Sequence, residues 1–176
     1  MFIRKLIGSL VILVCAQHAH GTELAPYVDG SKKFVLIENT DRQAEAWGTC
    51  AAAYDVMAAL MASKPNQAQY FSDLGNGASM AVVMTHVSAG LDPDMEPAQF
   101  NALWNYSKTL AETIPETQRT MMLADFEAFG EERSSEFVEK VGKTVKICLS
   151  NLEGQQAYID AWRDLAKSGL LAIPGD

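Results

Sequence analysis

Apolar positions recur at helical spacing along most of this chain. Trp47, Cys50, Tyr54, Met57 and Met61 alternate steps of three and four, which places them on one stripe of a helix over about residues 41–63. Ala51 and Ala58 widen that stripe with small side chains, so a neighbouring helix can come close. Thr40 with Gln43 reads as a capping box and Pro65 as a stop. A second helix is predicted from near Asn66, carrying Tyr70, Leu74, Gly77, Ala81 and Met84 and ended by Gly90 and Pro93. Gly75 and Gly77 each cost roughly 1 kcal/mol relative to alanine inside a helix, so they mark either a break or a close helix crossing. A third helix begins near Pro97 and presents Phe100, Leu103, Trp104, Ser107, Leu110 and Ala111. Thr113 and Glu116 read as a further capping box, which predicts a fresh helix there with Met122, Phe126 and Phe129 on its core face and Leu123 beside them. Gly130 either ends that helix or weakens it. Ser134 or Ser135 caps a segment carrying Phe137, Val138, Val141, Val145 and Cys148, as a separate helix or as the far half of a bent one. After an interruption at residues 151–154, a last helix carries Tyr158, Ile159, Trp162 and Leu165 and stops at Gly169 and Pro174.

The apolar run at residues 34–37 is too short for its period to be read, and no partner strand is evident. Residues 22–39 are therefore expected to form an extended arm lying across the helices. The fold class that follows is all-α: a single-domain bundle of five or six helices over residues 40–176, preceded by that arm.

Composition adds a compartment. Arg4 and Lys5, the apolar run of residues 6–14 and the small residues after it read as a secretory signal over residues 1–21. The run falls well short of the roughly 20 residues that span a bilayer, and no second run is long enough. The expected destination is the periplasm or the exterior, reached through a cleaved signal. Cleavage removes Cys15 and leaves Cys50 and Cys148, an even pair that an oxidising compartment turns into a disulfide. The alternative is two buried thiols acting as small hydrophobes. A Cys50–Cys148 bond requires the helices bearing these residues to touch.

Charge narrows the partners. The chain carries a formal net charge of −8, and removing residues 1–21 takes away Arg4 and Lys5 but no acid, giving −10. An acidic surface of this kind argues against nucleic acid and anionic lipid, which need clustered Lys and Arg, and leaves a basic partner open. In architecture and cysteine placement the chain resembles small exported helical proteins of bacteria with one early and one late cysteine, a likeness that transfers no catalytic residue.

Candidate chemistry is sparse. The sequence holds no Cys-x-x-Cys, no His-x-x-x-His, no Gly-rich phosphate loop and no Gly-x-Ser-x-Gly elbow. Met80, Met84 and His86 combine thioether and imidazole as copper or haem ligands do, yet His86 lies two residues past Met84, on another side of the helix. The alternation Asp92, Asp94, Glu96 matches the first half of a calcium loop. Pro97 then stands where that loop needs glycine, and Leu103 where it needs glutamate, so these acids read as caps for the next helix. Asp125, Glu127, Glu131, Glu132, Glu136 and Glu139 alternate with Arg133 and Lys140 as a solvated face does, and Ser134 and Ser135 have no histidine at a supporting spacing. No catalytic residue, metal site or cofactor is assigned. Trp47, Trp104 and Trp162 read as core. Tyr158, Trp162 and Arg163 are the candidate binding face. The expected role is an exported, non-enzymatic helical protein acting by macromolecular binding, as an inhibitor, immunity protein, adaptor or assembly factor, with a protein partner that is preferably basic. A small-ligand or metal carrier with an inter-helix cavity is the alternative, and a hydrolase with an unrecognised acidic site a third reading. Oligomeric state stays open.

Overall fold

The computed structural model describes residues 24–92 and 94–169, and these residues contain helices and no strand. Five α-helices follow one another: α1 (Thr40–Leu60), α2 (Pro65–Gly90), α3 (Pro97–Phe129), α4 (Ser134–Leu149) and α5 (Leu152–Lys167). Two 3-10 turns, Phe34–Leu36 and Glu131–Arg133, precede α1 and α4. The expected signal over residues 1–21, Pro93 and the tail after residue 169 lie outside the described residues.

The bundle is assembled around α1, which touches α2, α3 and α4. Its burial runs all round: Ala44, Trp47, Cys50, Ala52, Ala53 and Tyr54 are closed to solvent in consecutive turns. A helix with apolar residues on every side is stable only inside a protein, and the alanines let three helices approach it at once. Cys50 meets Cys148 of α4 in the expected disulfide, with the Cα atoms 5.6 Å apart. At Gly75, a Cβ would stand 3.0 Å from the Asp55 carboxylate and 3.6 Å from the Ala51 carbonyl. The side chain of Gln155 in α5 occupies the place of a Cβ at Gly77. Both glycines are therefore close crossings within an unbroken α2, where packing outweighs propensity.

Three local expectations are corrected. The cap of α1 is Asn39, whose side chain accepts the Arg42 N–H at 2.9 Å, while Gln43 turns away to donate to the Phe34 carbonyl at 2.8 Å. Thr113 and Glu116 form no capping box: α3 runs through them as one helix of 33 residues with Pro115 inside it. The Thr113 hydroxyl donates back to the Thr109 carbonyl at 2.9 Å, and Glu116 pairs with Arg119 at 2.6 Å. Proline removes one backbone N–H from the ladder, but Pro115 is buried at the point where α3 crosses Gly48 of α1. With no side chain at Gly48, Ile114 fills that space, and the crossing holds the helix together across its proline. Finally, Phe126, expected on the core face, is exposed, as is Leu123 beside it. At the other end of α3 one of the three acids caps: Glu96 and Gln99 form a reciprocal box, Gln99 accepting the Glu96 N–H at 3.0 Å, while Asp92 instead accepts the Asp94 N–H at 2.9 Å. Gly130, at φ 68°, terminates α3, so α3 and α4 are two helices joined by the turn at Glu131–Arg133.

Residues 24–39 form the arm. Its anchor is Phe34, fully buried and edge-on to Trp47 with ring centroids 4.9 Å apart. The Phe34 N–H donates to the Asn151 side chain at 2.9 Å, and the Tyr27 N–H to the Thr144 hydroxyl at 2.9 Å. The Tyr27 hydroxyl donates to Asp125 of α3 at 2.9 Å, Lys140 of α4 reaches the same carboxylate oxygen at 2.6 Å, and the Lys140 ammonium lies 4.0 Å from the centre of the Tyr27 ring. The hydrogen bond from Lys140, reinforced by that from Tyr27, holds the Asp125 carboxyl below the usual range. Burial beside that carboxylate raises Tyr27.

Candidate functional site

A groove of about 370 Å³ opens between the C-terminal end of α1, the second half of α3 and the first turn of α4. Val56, Ala59 and Leu60 form one wall, Leu123 and Phe126 the other, and the Phe137 ring, 5.1 Å from Phe126, forms part of the base. Leu60, Leu123 and Phe126 are 44%, 44% and 42% exposed, a cluster rather than the scattered apolar residues of an ordinary surface. The apolar period along α3 explains why they are there. Met122 points inward and is fully buried, while Leu123 and Phe126 continue the same stripe past the edge that α1 and α4 cover.

Two charges stand at this groove. Burial is the main cause that raises the Asp55 carboxyl, Arg119 opposes it, and Glu116 adds to it. Arg119 donates to Glu116 at 3.0 and 2.6 Å, so its hydrogen bonds are directed away from Asp55. The groove is thus an apolar trough with an exposed carboxylate, Asp55, on its wall.

The face singled out from sequence is arranged differently. Tyr158 is half-buried and edge-on to Trp47 at 6.1 Å, and Trp162 packs on the cluster of Val83, Met84, Val87 and Phe100. Arg163 is exposed and pairs with Asp160 at 2.8 Å. The two aromatics therefore look into the bundle and the guanidinium away from it. Met80 and Met84 join the same cluster, while His86 turns towards Asp41 and Tyr106, 5.9 Å from the latter's ring. Among the described residues no three His, Cys, Asp or Glu side chains come together as a metal site, and no helix is long and apolar enough to cross a membrane.

The groove was missed from sequence because Leu60, Leu123 and Phe126 obey the helical period as well as any core residue. The available signal was the surplus: α3 presents more apolar surface than its neighbours can cover. Comparison of the chain with protein-family models, with curated proteins and with solved structures finds no match in any of the three.

Proposed function

We propose that the protein is exported and works without catalysis, by seating an apolar segment of another protein in the groove between α1, α3 and α4. The observation that carries this reading is the exposed cluster of Leu60, Leu123 and Phe126 around a trough with a Phe137 base. The matching segment is an amphipathic helix whose apolar residues enter the trough. Beside them it carries a Lys or Arg that reaches Asp55, the exposed acid on the groove wall. The net charge, −8 for the full chain and −10 without Arg4 and Lys5 of residues 1–21, favours the same kind of partner at long range.

The test is capture from the exported fraction by the wild-type chain and by Leu123→Glu, which puts a charge on the groove wall at an already exposed position. One defined protein with a basic amphipathic segment, held by the wild type and reduced about tenfold or more by the variant at unchanged melting temperature, is the expected result. Equal capture by both chains overturns the assignment of the groove. A wild-type homodimer that Leu123→Glu dissociates also overturns it, since a second copy then fills the trough.

A further inference from the structure

Four buried side-chain atoms lack a hydrogen-bond partner among the described residues: Trp47 Nε1, Tyr54 Oη, His86 Nε2 and Gln155 Oε1. Leaving such an atom unpaired is costly. Of the four residues, His86 also lines a surface cavity, about 260 Å³ in volume, on the opposite side of α3 from the apolar groove. Leu110 and Ile114 give it an apolar floor, and Thr113, Thr117 and Gln118 add polar groups. Asp41 and Glu45, one turn apart on α1, rim it with two carboxylates. The His86 side chain is 9% exposed, and its Nε2 lies 3.9 Å from Asp41 Oδ1, too far for a hydrogen bond.

We infer that this cavity binds an organic cation, an alkylammonium or a guanidinium group, with His86 Nε2 and the Asp41 carboxylate as joint acceptors. The gap itself is the argument. A nitrogen at about 2.8 Å from each atom, the usual length for a charge-assisted hydrogen bond, forms the apex of a triangle on the 3.9 Å base. Such a donor satisfies the orphaned imidazole in its Nδ1-protonated tautomer. Glu45 adds a second negative charge, and the alkyl stem of the ligand lies on Leu110 and Ile114. Asp41 is the movable part: its side chain is 82% exposed, so it can swing aside to admit the ligand. A metal ion is a poorer fit, because no third ligand converges there among the described residues. The inference is independent of the apolar groove. Its ligand is either a free cation or the basic side chain of a protein.

The test is a titration of the full chain with n-butylammonium, with butylguanidinium, with lysine and arginine blocked at both ends as amides, and with neutral 1-butanol. Binding is followed in NMR spectra through the backbone amide resonances of residues 41, 45 and 86, which every variant retains, and through the His86 ring resonances where the histidine is present. Saturable shifts at His86 with the cations and none with butanol are expected. Asp41→Asn and His86→Phe should each weaken binding by about tenfold or more, the loss of one charge-assisted hydrogen bond. Comparable affinity for the butyl cations and for the blocked amino acids assigns the site to small cations. Selective binding of the blocked residues assigns it to a protein side chain. Absence of saturable shifts with every cation, equal binding of butanol, or an Asp41→Asn variant that binds as the wild type does overturns the inference. Asp41 is exposed, so its variant stays informative even if His86→Phe fails to fold.

Discussion

Replacing both cysteines, as Cys50→Ala with Cys148→Ala, should lower stability by an amount set mainly by the length of chain the bond closes. The two residues are 98 apart. The chain-entropy model assigns about 4.7 kcal/mol to a loop of about 100 residues, through the conformations the crosslink denies the unfolded chain. A domain of about 150 residues loses about 2–4 °C of melting temperature per kcal/mol, so the expected drop is about 9–19 °C. Substitution is the cleaner perturbation than reduction, because both cysteines are closed to solvent and a reductant reaches them only as the bundle opens. Thermal and urea unfolding followed by circular dichroism measure the effect. The urea slope should rise together with the loss of stability, since an uncrosslinked unfolded chain exposes more surface. A drop below about 3 °C with an unchanged slope would refute the reasoning, by placing the value of the bond outside the unfolded-state entropy on which the model rests.

Three further perturbations have signed outcomes. Gly48→Ala and Gly142→Ala should move melting temperature in opposite directions: a Cβ at Gly48 enters the space of Ile114, an overpacking that costs about 1–3 kcal/mol, whereas one at Gly142 meets nothing within 4 Å and should gain about 0.5–1 kcal/mol of helix propensity. Asp125→Asn should free the first part of the arm, read as faster hydrogen exchange at the Tyr27 amide, with about 1 kcal/mol lost at neutral pH. Since the Asp125 carboxyl is held low in the folded state, that contribution is present above its unfolded pKa and vanishes as pH falls through the folded one, so wild type and variant should converge in acid. His86 has the reverse chemistry but the same sign. Burial lowers its pKa despite Asp41, so as pH drops below about 6.5 the unfolded chain takes up protons first and stability falls until the folded value is passed. Asp41, Glu45 and Tyr106 face or neighbour this imidazole, and His86→Gln should remove that part of the slope in urea titrations between pH 7 and pH 5, values bracketing the free imidazole.

The residues that were legible in the sequence are those whose position is decided locally and confirmed by period. Trp47, Cys50 and Tyr54 share a stripe, and all are buried; Glu96 precedes a helix, and it caps one. Gly75 and Gly77 could be narrowed to a break or a crossing, and the crossings exist. What escaped was set between distant segments. Thr113 and Glu116 carry the letters of a capping box, but Gly48, far away in the chain, lets Ile114 and Pro115 pack so closely that one helix persists. Gln43 fits a capping box with Thr40 by spacing, whereas its amide serves the Phe34 carbonyl of the arm. The 3.9 Å gap between Asp41 and His86 has no trace in spacing at all, because it joins α1 to α2 across a cavity floored by α3.

The helical period itself accounts for the groove. Met122, Leu123, Phe126 and Phe129 form a stripe wide enough for a helix covered on two sides, yet only Met122 among them is fully buried. Were this stripe mere surplus, a single replacement of Leu123 by a polar residue should be close to neutral for stability, because that side chain is already 44% exposed. Phe137 differs: it is buried at the base of the same trough and touches Phe126, so Phe137→Ala should cost about 3–5 kcal/mol. A polar Leu123 that leaves stability intact while Phe137→Ala lowers it would separate the wall of the trough from its foundation. Large losses from both would make the wall part of the core, and the trough would then have no surface to spare for a partner.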